Sequence, residues 1–256
     1  MLKLEAQGYV STPDEDWVES CWYKDHCQKK FCGPGHEKDF CKRNYVMNQL
    51  ADFALLQGKQ RYPAKLQVPR DDAEAYRRLV NIQSNIGEFV QTSQNLLIYS
   101  KNTGNGKTEW AKKLLLSYLD SIWPVTAIEC RALFVSMPSF LPSAKDSVNG
   151  RKEVFSLYDY VKSVCDTADL IVWDEISYKQ WTDFEIAEMQ RIIDRRIQLG
   201  LSNIYTSNYT AEELSGLLDT RLASRIVGAS NKVEFVSGDK RGKSLANTPE
   251  NGGRKW

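Results

Sequence analysis

The sequence lacks any apolar run near the roughly 18 residues that a membrane-spanning helix requires. Its first ten residues, MLKLEAQGYV, lack the hydrophobic core of a secretory signal peptide. It also lacks an excess of one charge sign, because 34 Lys and Arg residues oppose 33 Asp and Glu residues, for a net charge of +1. These absences argue against secreted, membrane and collagen-like proteins and favour a globular protein of the cytoplasm. A length of 256 residues suits one domain with a small addition.

Histidine is scarce, and its two copies, His26 and His36, lie among four closely spaced cysteines. In a cytoplasmic chain such a cluster more often binds zinc than forms disulfides. The gaps of five, four and eight residues between the cysteines are looser than those of paired CxxC motifs. We therefore predict a tetrahedral Zn²⁺ site, with reduced structural cysteines as the competing interpretation. The predicted ligands are Cys21, Cys27, Cys32 and Cys41, with His36 in place of Cys32 as the alternative.

Hydrophobic periodicity after the cysteine cluster predicts strands that alternate with helices. A helical pattern from Tyr45 to Ala54 precedes a segment rich in Gly, Pro and basic residues. Helices are then predicted at 72–91, 107–121, 152–164 and 182–198, and strands at 95–100, 132–136, 169–173, 203–207 and 232–236. Asp71 or Asp72 would cap the first of these helices. This alternation is typical of an α/β fold with a parallel sheet between helices. Cys130 and Cys165, which are isolated, are predicted to be buried structural thiols.

The same patterns divide the chain into four parts. We expect a small zinc-binding helical domain at 1–57 and a linker at 58–71. An α/β domain should follow at 72–237, and a flexible basic tail at 238–256.

A glycine-rich segment between the strand at 95–100 and the next helix has the features of a phosphate-binding loop. Glycines let backbone N–H groups converge on phosphates, and the helix N-terminus adds its positive end. The predicted nucleotide-binding residues are Thr103, Gly104, Asn105, Gly106, Lys107, Thr108 and Glu109. Lys107 would reach the β- and γ-phosphates, and the Thr108 hydroxyl would bind Mg²⁺. The first glycine of the GxxxxGKT pattern is replaced by Lys101.

The strand at 169–173 is followed directly by two carboxylates, Asp174 and Glu175. Together with the glycine-rich loop, they predict a site for ATP hydrolysis. Asp174 would hold Mg²⁺, and Glu175 would orient and deprotonate the attacking water. An acidic loop after a buried strand is the alternative, and Trp173 is expected in the core.

Three further polar residues follow the strand at 203–207. Asn208 is a candidate sensor of the γ-phosphate, since the next helix already has a capping box in Thr210 and Glu213. Arg221 and Arg225 lie one helical turn apart. Either arginine could enter the nucleotide site of a neighbouring subunit, and structural salt bridges are the alternative.

In this order, the motifs GNGKT, IVWDEIS, YTSN and RLASR resemble those of AAA-plus ATPases. The resemblance is to replicative helicase loaders of the DnaC/DnaI type and their phage relatives, and it covers roughly residues 70–237. It implies a P-loop core with a five-stranded parallel sheet and no full C-terminal lid. It also implies that Asn208 is sensor 1 and that Arg225, with Arg221 beside it, is an arginine finger. The cysteine cluster with its following helix looks like the zinc-bearing front end of phage loaders.

The resemblance further implies slow, partner-stimulated and Mg²⁺-dependent ATP hydrolysis, in the host cytoplasm if the gene is a phage's. Residues 1–57 would bind a DnaB-type replicative helicase, and the ATPase domain would bind single-stranded DNA during DNA replication. Residues 137–160 would form an extra helical element that faces the DNA. Its candidate phosphate contacts are Lys145, Arg151 and Lys152, with ordinary surface residues as the alternative interpretation. Self-association would bring Arg225 to the neighbouring ATP site. The alternatives are a transposition helper ATPase of the IstB type, which acts on duplex DNA, a non-hydrolysing zinc adaptor, and a small-molecule kinase.

Overall fold

Strands and helices alternate along the residues that the computed structural model describes, which are 42–61, 69–150 and 155–238. The helices are α1 (Lys42–Phe53), α2 (Ala73–Ser84), α3 (Ile86–Gln91), α4 (Lys107–Ile122), α5 (Met137–Val148), α6 (Leu157–Val164), α7 (Asp183–Gln198), α8 (Ala211–Leu217) and α9 (Thr220–Ala223). The strands are β1 (Asn95–Tyr99), β2 (Ala132–Ser136), β3 (Leu170–Asp174), β4 (Ser202–Ser207) and β5 (Asn231–Glu234). Short 3₁₀ turns lie at Gly58–Arg61 and Arg70–Asp72, and a π turn at Ser224–Gly228 follows α9.

The strands form one parallel sheet in the order β2-β3-β4-β1-β5. Crossover connections put all the strand carboxyl ends at one edge, and that edge is where ligands bind in open α/β sheets. The prediction of a parallel α/β sheet is therefore confirmed. Among the described residues, no helix is long and apolar enough to cross a membrane.

Both faces of the sheet are covered, so its inner strands β3, β4 and β1 are buried along almost their whole length. Leu96 and Ile98 of β1 point into a cluster built from α1, α2, α3 and α4. Leu97 points to the opposite face, where α5 to α9 pack. Complete burial of one such leucine stabilises the fold by about 1.5–3 kcal/mol. Met47 and Leu50 of α1 belong to the first cluster, so α1 packs against the α/β core.

The prediction of one continuous helix at 72–91 is wrong, because the helix is interrupted at Asn85. This residue leaves the helical conformation, with φ −117° and ψ 28°, and its Nδ2 donates to the Asn81 carbonyl at 2.9 Å. Asparagine side chains compete in this way with the helical ladder. The helix predicted at 152–164 begins only at Leu157, where Ser156 caps it by accepting from the Asp159 N–H. The extra helical element that the resemblance implies within 137–160 includes α5, which spans Met137–Val148.

Three smaller predictions about buried residues are confirmed. Cys130 and Cys165 are buried free thiols, and burial raises the pKa of Cys130 to about 11. Trp173 is fully buried, and its Nε1 donates to Asn203 Oδ1 at 3.1 Å.

A buried arginine at the end of α7 was not predicted. Arg196 is fully buried, and its guanidinium donates to the carbonyls of Cys165, Ala168 and Ser202 at 2.6–2.9 Å. It also donates to Asn203 Oδ1 at 2.7 Å. Burial lowers the pKa of Arg196 to about 10, so the group stays charged at neutral pH. Arg196 thus joins α7 to the starts of β3 and β4.

Candidate active site

The loop between β1 and α4 contains two glycines with positive φ and leads directly into the α4 N-terminus. Gly104 and Gly106 adopt φ values of 68° and 100°, which side-chain-bearing residues rarely adopt. Gly106 immediately precedes Lys107, the first residue of α4. The amides of the first helical turn have no partner within the helix, and the helix dipole adds positive potential there.

Lys107 lies inside this loop and is buried. Its Nζ donates to the Asn102 carbonyl at 2.8 Å and to Asn105 Oδ1 at 3.1 Å. The ammonium is thus held among the oxygen atoms of the loop, where a phosphate group would be its natural partner. Of the other predicted loop residues, Thr103 is exposed, and Glu109 lies in the first turn of α4, paired with Lys112 Nζ at 3.0 Å.

Two asparagines of the loop attach it to neighbouring segments. Asn102 Nδ2 donates to the Val236 carbonyl at 2.9 Å, just after β5, and Asn105 Nδ2 donates to Ser100 Oγ at 2.7 Å. The same segment after β5 is held by Asp72, whose Oδ1 accepts from the N–H groups of Val236 and Ser237 at 2.7 and 3.1 Å. The buried Asp72 therefore supports the loop indirectly. Sequence reasoning treated it only as a helix cap, and its side chain caps nothing in α2.

Thr108 and Asp174 meet at the carboxyl edge of the sheet. The Thr108 hydroxyl donates to Asp174 Oδ1 at 2.9 Å, although the residues come from different elements. Asp174 is buried, and burial raises its pKa while hydrogen bonds from Thr206 and Thr108 act in the opposite direction. A hydroxyl beside a carboxylate is a hard oxygen donor set of the kind that Mg²⁺ prefers in nucleotide sites. The residues present therefore fit a magnesium nucleotide.

Glu175 follows in an unusual backbone conformation, with φ 59°. Outside glycine this left-handed region costs about 1–2 kcal/mol, so it persists only where the surroundings hold it. The Glu175 N–H donates to Thr206 Oγ1 at 2.9 Å. Its half-buried carboxylate has no hydrogen-bond partner among the described residues.

Asn208 lies just beyond the end of β4, beside the turn that contains Glu175. Its N–H donates to Ser177 Oγ at 3.0 Å, and Ser207 Oγ donates to the same atom at 3.0 Å. Within the described chain, the Asn208 side-chain amide has no hydrogen-bond partner. The predicted capping box of α8 is confirmed in Thr210 and Glu213.

Arg221 and Arg225 are placed together, as predicted, and both bind one carboxylate of their own chain. Arg225 Nε lies 2.8 Å from Asp194 Oδ1, and Arg221 binds Asp194 Oδ2. Although burial opposes the shift, hydrogen bonds from Arg225 and Arg221 lower the pKa of Asp194. Both guanidinium groups remain largely exposed.

The predicted zinc ligands Cys21, Cys27, Cys32 and Cys41, with His36, lie outside the described residues, as do Arg151 and Lys152. Lys145 is exposed on α5. In the described ranges, no three or more His, Cys, Asp and Glu residues form a cluster that could hold a metal ion.

No protein-family model and no curated protein matches this chain, whereas its fold matches solved structures. One is the replication initiator DnaA bound to AMPPCP and single-stranded DNA, with a TM-score of 0.51 and 18% identity; the match covers 66% of this chain and 47% of the DnaA chain. The chain therefore spans about half of that DnaA. DnaI matches with a TM-score of 0.53 at 16% identity over 72% of this chain and 94% of its own. The DnaC helicase loader matches with a TM-score of 0.54 at 16% identity, over 70% of this chain and 99% of the DnaC chain. These matches show that the chain shares its fold with DnaA, DnaI and DnaC, in agreement with the predicted five-stranded parallel α/β core.

Proposed function

We propose that this protein is an ATP-dependent loader of a DnaB-type replicative helicase, which it delivers to single-stranded DNA during DNA replication. The observation that carries the proposal is the contact between Thr108 and Asp174 at 2.9 Å, on a fold shared with DnaC and DnaI. That contact unites the two predicted halves of a Mg²⁺-ATP site. The proposal agrees with the single-stranded DNA in the similar DnaA structure.

In the proposed reaction, Lys107 binds the β- and γ-phosphates, and the backbone N–H groups of residues 103–109 surround them. Thr108 and Asp174 hold the Mg²⁺ ion, which neutralises charge on the phosphates when it is bound. Glu175 accepts a proton from water while the water oxygen bonds to the γ-phosphorus. The bond from that phosphorus to the bridging oxygen breaks, ADP and phosphate leave, and Glu175 returns the proton to solvent.

Asn208 supplies its side-chain amide to the γ-phosphate or to the attacking water. Its backbone N–H is held by Ser177 at 3.0 Å, in the turn that follows Asp174 and Glu175, which supports a shared role. Arg225, with Arg221 beside it, enters the ATP site of a neighbouring protomer. Their exposure on one surface supports this step, because a partner can reach them there.

The remaining parts of the proposal concern the division of the chain into domains and the partners of each domain. Residues 1–57 form the helicase-binding domain with its Zn²⁺ site, 58–71 the linker, 72–237 the ATPase domain and 238–256 a basic tail. Residues 137–160 face the DNA. Replacing Cys21 with Ser should release zinc and weaken helicase binding without removing ATP binding. An unchanged zinc content in this variant would show that the ligand set is wrong.

The experiment that tests the loader function measures ATP hydrolysis by the purified protein. The assay compares protein alone with protein plus single-stranded DNA, duplex DNA, or a DnaB-type helicase from the same source. We expect stimulation by single-stranded DNA and helicase that is lost in Glu175→Gln and kept in Glu74→Gln, a matched change at an exposed position of α2. Stimulation by duplex DNA alone would favour a transposition helper of the IstB type. Nucleotide binding without hydrolysis in every condition would favour a zinc adaptor.

A further inference from the structure

The backbone after β3 departs from its neighbour β4 at the two predicted catalytic carboxylates, and one residue of β4 bridges the gap. Trp173 still pairs in register with Tyr205. Glu175 then turns into the left-handed region with φ 59°. Beyond it, the Ile176 N–H donates to the Thr206 carbonyl at 3.0 Å. The Thr206 side chain lies between these two points.

The Thr206 hydroxyl makes two hydrogen bonds with opposite roles. It donates to Asp174 Oδ1 at 2.6 Å and accepts from the Glu175 N–H at 2.9 Å. A hydroxyl has one proton to donate and lone pairs to accept, so a single atom satisfies both neighbours. The short donor bond is typical of a hydroxyl bound to a carboxylate. Thr206 is 1% exposed, so water does not replace either bond readily.

These two bonds act on the groups whose positions matter most for the proposed chemistry. The first fixes the rotation of the Asp174 carboxylate, whose Oδ1 also accepts from Thr108. The second compensates the backbone strain that directs the Glu175 side chain. Removal of the hydroxyl leaves the half-buried Glu175 N–H without this acceptor, and it leaves the Asp174 carboxylate with the bond from Thr108 but not the one from β4.

We propose that Thr206 is a positioning residue of the ATPase site, which sets Asp174 toward the metal and holds Glu175 in its strained conformation. This inference rests on the proposed function, since it assigns a role in the same reaction. The Thr206 hydroxyl contacts Asp174 and Glu175, and its proposed role is exerted through these two residues. Its loss should therefore impair catalysis and metal use more than nucleotide binding.

The test compares Thr206→Val, which keeps the shape and removes the hydroxyl, with Thr206→Ser, which keeps the hydroxyl. For Val we expect kcat to fall about 10- to 100-fold, as a small misplacement of reacting groups produces. The Mg²⁺ concentration for half-maximal activity should rise, while ATP affinity measured without metal stays within a few-fold of the wild type. Thr206→Ser should restore most of kcat and the normal Mg²⁺ dependence.

A matched control is Ser202→Ala, because Ser202 is a fully buried hydroxyl at the other end of β4 that donates to the Val90 carbonyl at 3.4 Å. If Thr206 had only a structural role, both variants would lower the melting temperature and leave kcat and the Mg²⁺ dependence unchanged. That result would overturn the inference and leave the ATPase intact. A wild-type protein that binds no Mg²⁺-ATP would overturn the proposed function and this inference together.

Should Thr206→Val fail to fold, Thr206→Cys replaces it, since a thiol has similar size and is a weak donor and acceptor. If the kcat of Thr206→Cys is well below that of Thr206→Ser, the result supports the positioning role. Equal kcat values and equal Mg²⁺ dependence in the Cys and Ser variants would overturn it.

Discussion

The Lys101 ammonium lies 3.0 Å from the Glu213 carboxylate, and this ion pair joins the loop between β1 and α4 to helix α8. Lys101 stands where the GxxxxGKT pattern has its first glycine. Glu213 also accepts from the Thr210 N–H at 2.9 Å in the α8 capping box. The hydrogen bond from Thr210, followed by that from Lys101, lowers the pKa of Glu213. Lys101, which replaces the first glycine of the pattern, thus has a counter-charge in Glu213, close to the end of β4.

Glu213→Gln should tighten ATP binding a few-fold at low salt, because the Lys101 charge is then free to attract phosphate. Glutamine keeps the capping box, so α8 should be unaffected. The gain should shrink as salt rises, since exposed charges are screened. Isothermal titration calorimetry at two salt concentrations measures both effects. Glu212→Gln, which removes one negative charge at the adjacent position, is the control. Weaker binding in Glu213→Gln would instead mean that the ion pair holds the loop in shape.

Lys107→Ala should abolish detectable ATP binding, because Lys107 is the proposed phosphate ligand and its ammonium lies inside the loop between β1 and α4. The variant also loses the bonds to Asn102 and Asn105, so its folding must be checked by circular dichroism. Lys232→Ala, on the surface of β5, is the charge-matched control and should bind ATP normally. Fluorescent nucleotide titration measures both variants. Wild-type affinity in Lys107→Ala would exclude this loop as the nucleotide site.

Arg225→Ala should remove the rise in ATPase rate with protein concentration and leave ATP binding intact. Such a result is expected if the arginine completes the site of a neighbour. Asp194→Asn releases both arginines and should increase the rise in ATPase rate with protein concentration. The loss of a surface ion pair should lower the free energy of unfolding by about 1 kcal/mol or less. Rate measurements over a dilution series test both variants. The control is Arg195→Ala, whose arginine pairs with Asp166 at 3.1 Å; an identical loss there would contradict a finger role.

Arg196→Ala should lower the free energy of unfolding by about 3 kcal/mol or more, because several buried acceptors lose their donor and each unsatisfied buried group costs about 1–3 kcal/mol. The carbonyls that Arg196 binds would lose their donors inside the core. Urea denaturation measures the change. Arg195→Ala, at the adjacent and exposed position, should lower the free energy of unfolding far less. A loss below about 1 kcal/mol in Arg196→Ala would mean that water replaces the guanidinium.

Cys130 should resist alkylation by iodoacetamide at pH 8 in the folded protein. Burial raises the pKa of Cys130 to about 11, so the reactive thiolate is scarce below that pH. The fraction of thiolate grows only as pH rises toward the pKa. Peptide mapping by mass spectrometry separates Cys130 from the N-terminal cysteines, and denatured protein is the positive control. Rapid labelling of folded Cys130 would show that its surroundings open readily.

Several features could be predicted from local sequence because local forces determine them. Apolar runs such as Leu96 to Ile98 predicted buried strands, and the glycines before Lys107 predicted a loop that opens a helix. The break at Asn85 was missed, since the competition between its side chain and the helical ladder is hard to weigh in a periodic pattern. Likewise, Asp72 looked like a helix cap, although it binds the segment after β5.

The sequence by itself determined the alternation of strands and helices, the order of the chemical motifs and the residue types that a nucleotide site needs. Only the tertiary structure decided which hydroxyls meet Asp174, because Thr108 and Thr206 come from separate elements. The parallel register of β3 with β4 brings Thr206 beside Asp174 and Glu175, and no local pattern encodes that register. The physical reason is that spacing along the chain determines periodicity, whereas contacts between distant residues depend on how the sheet is assembled.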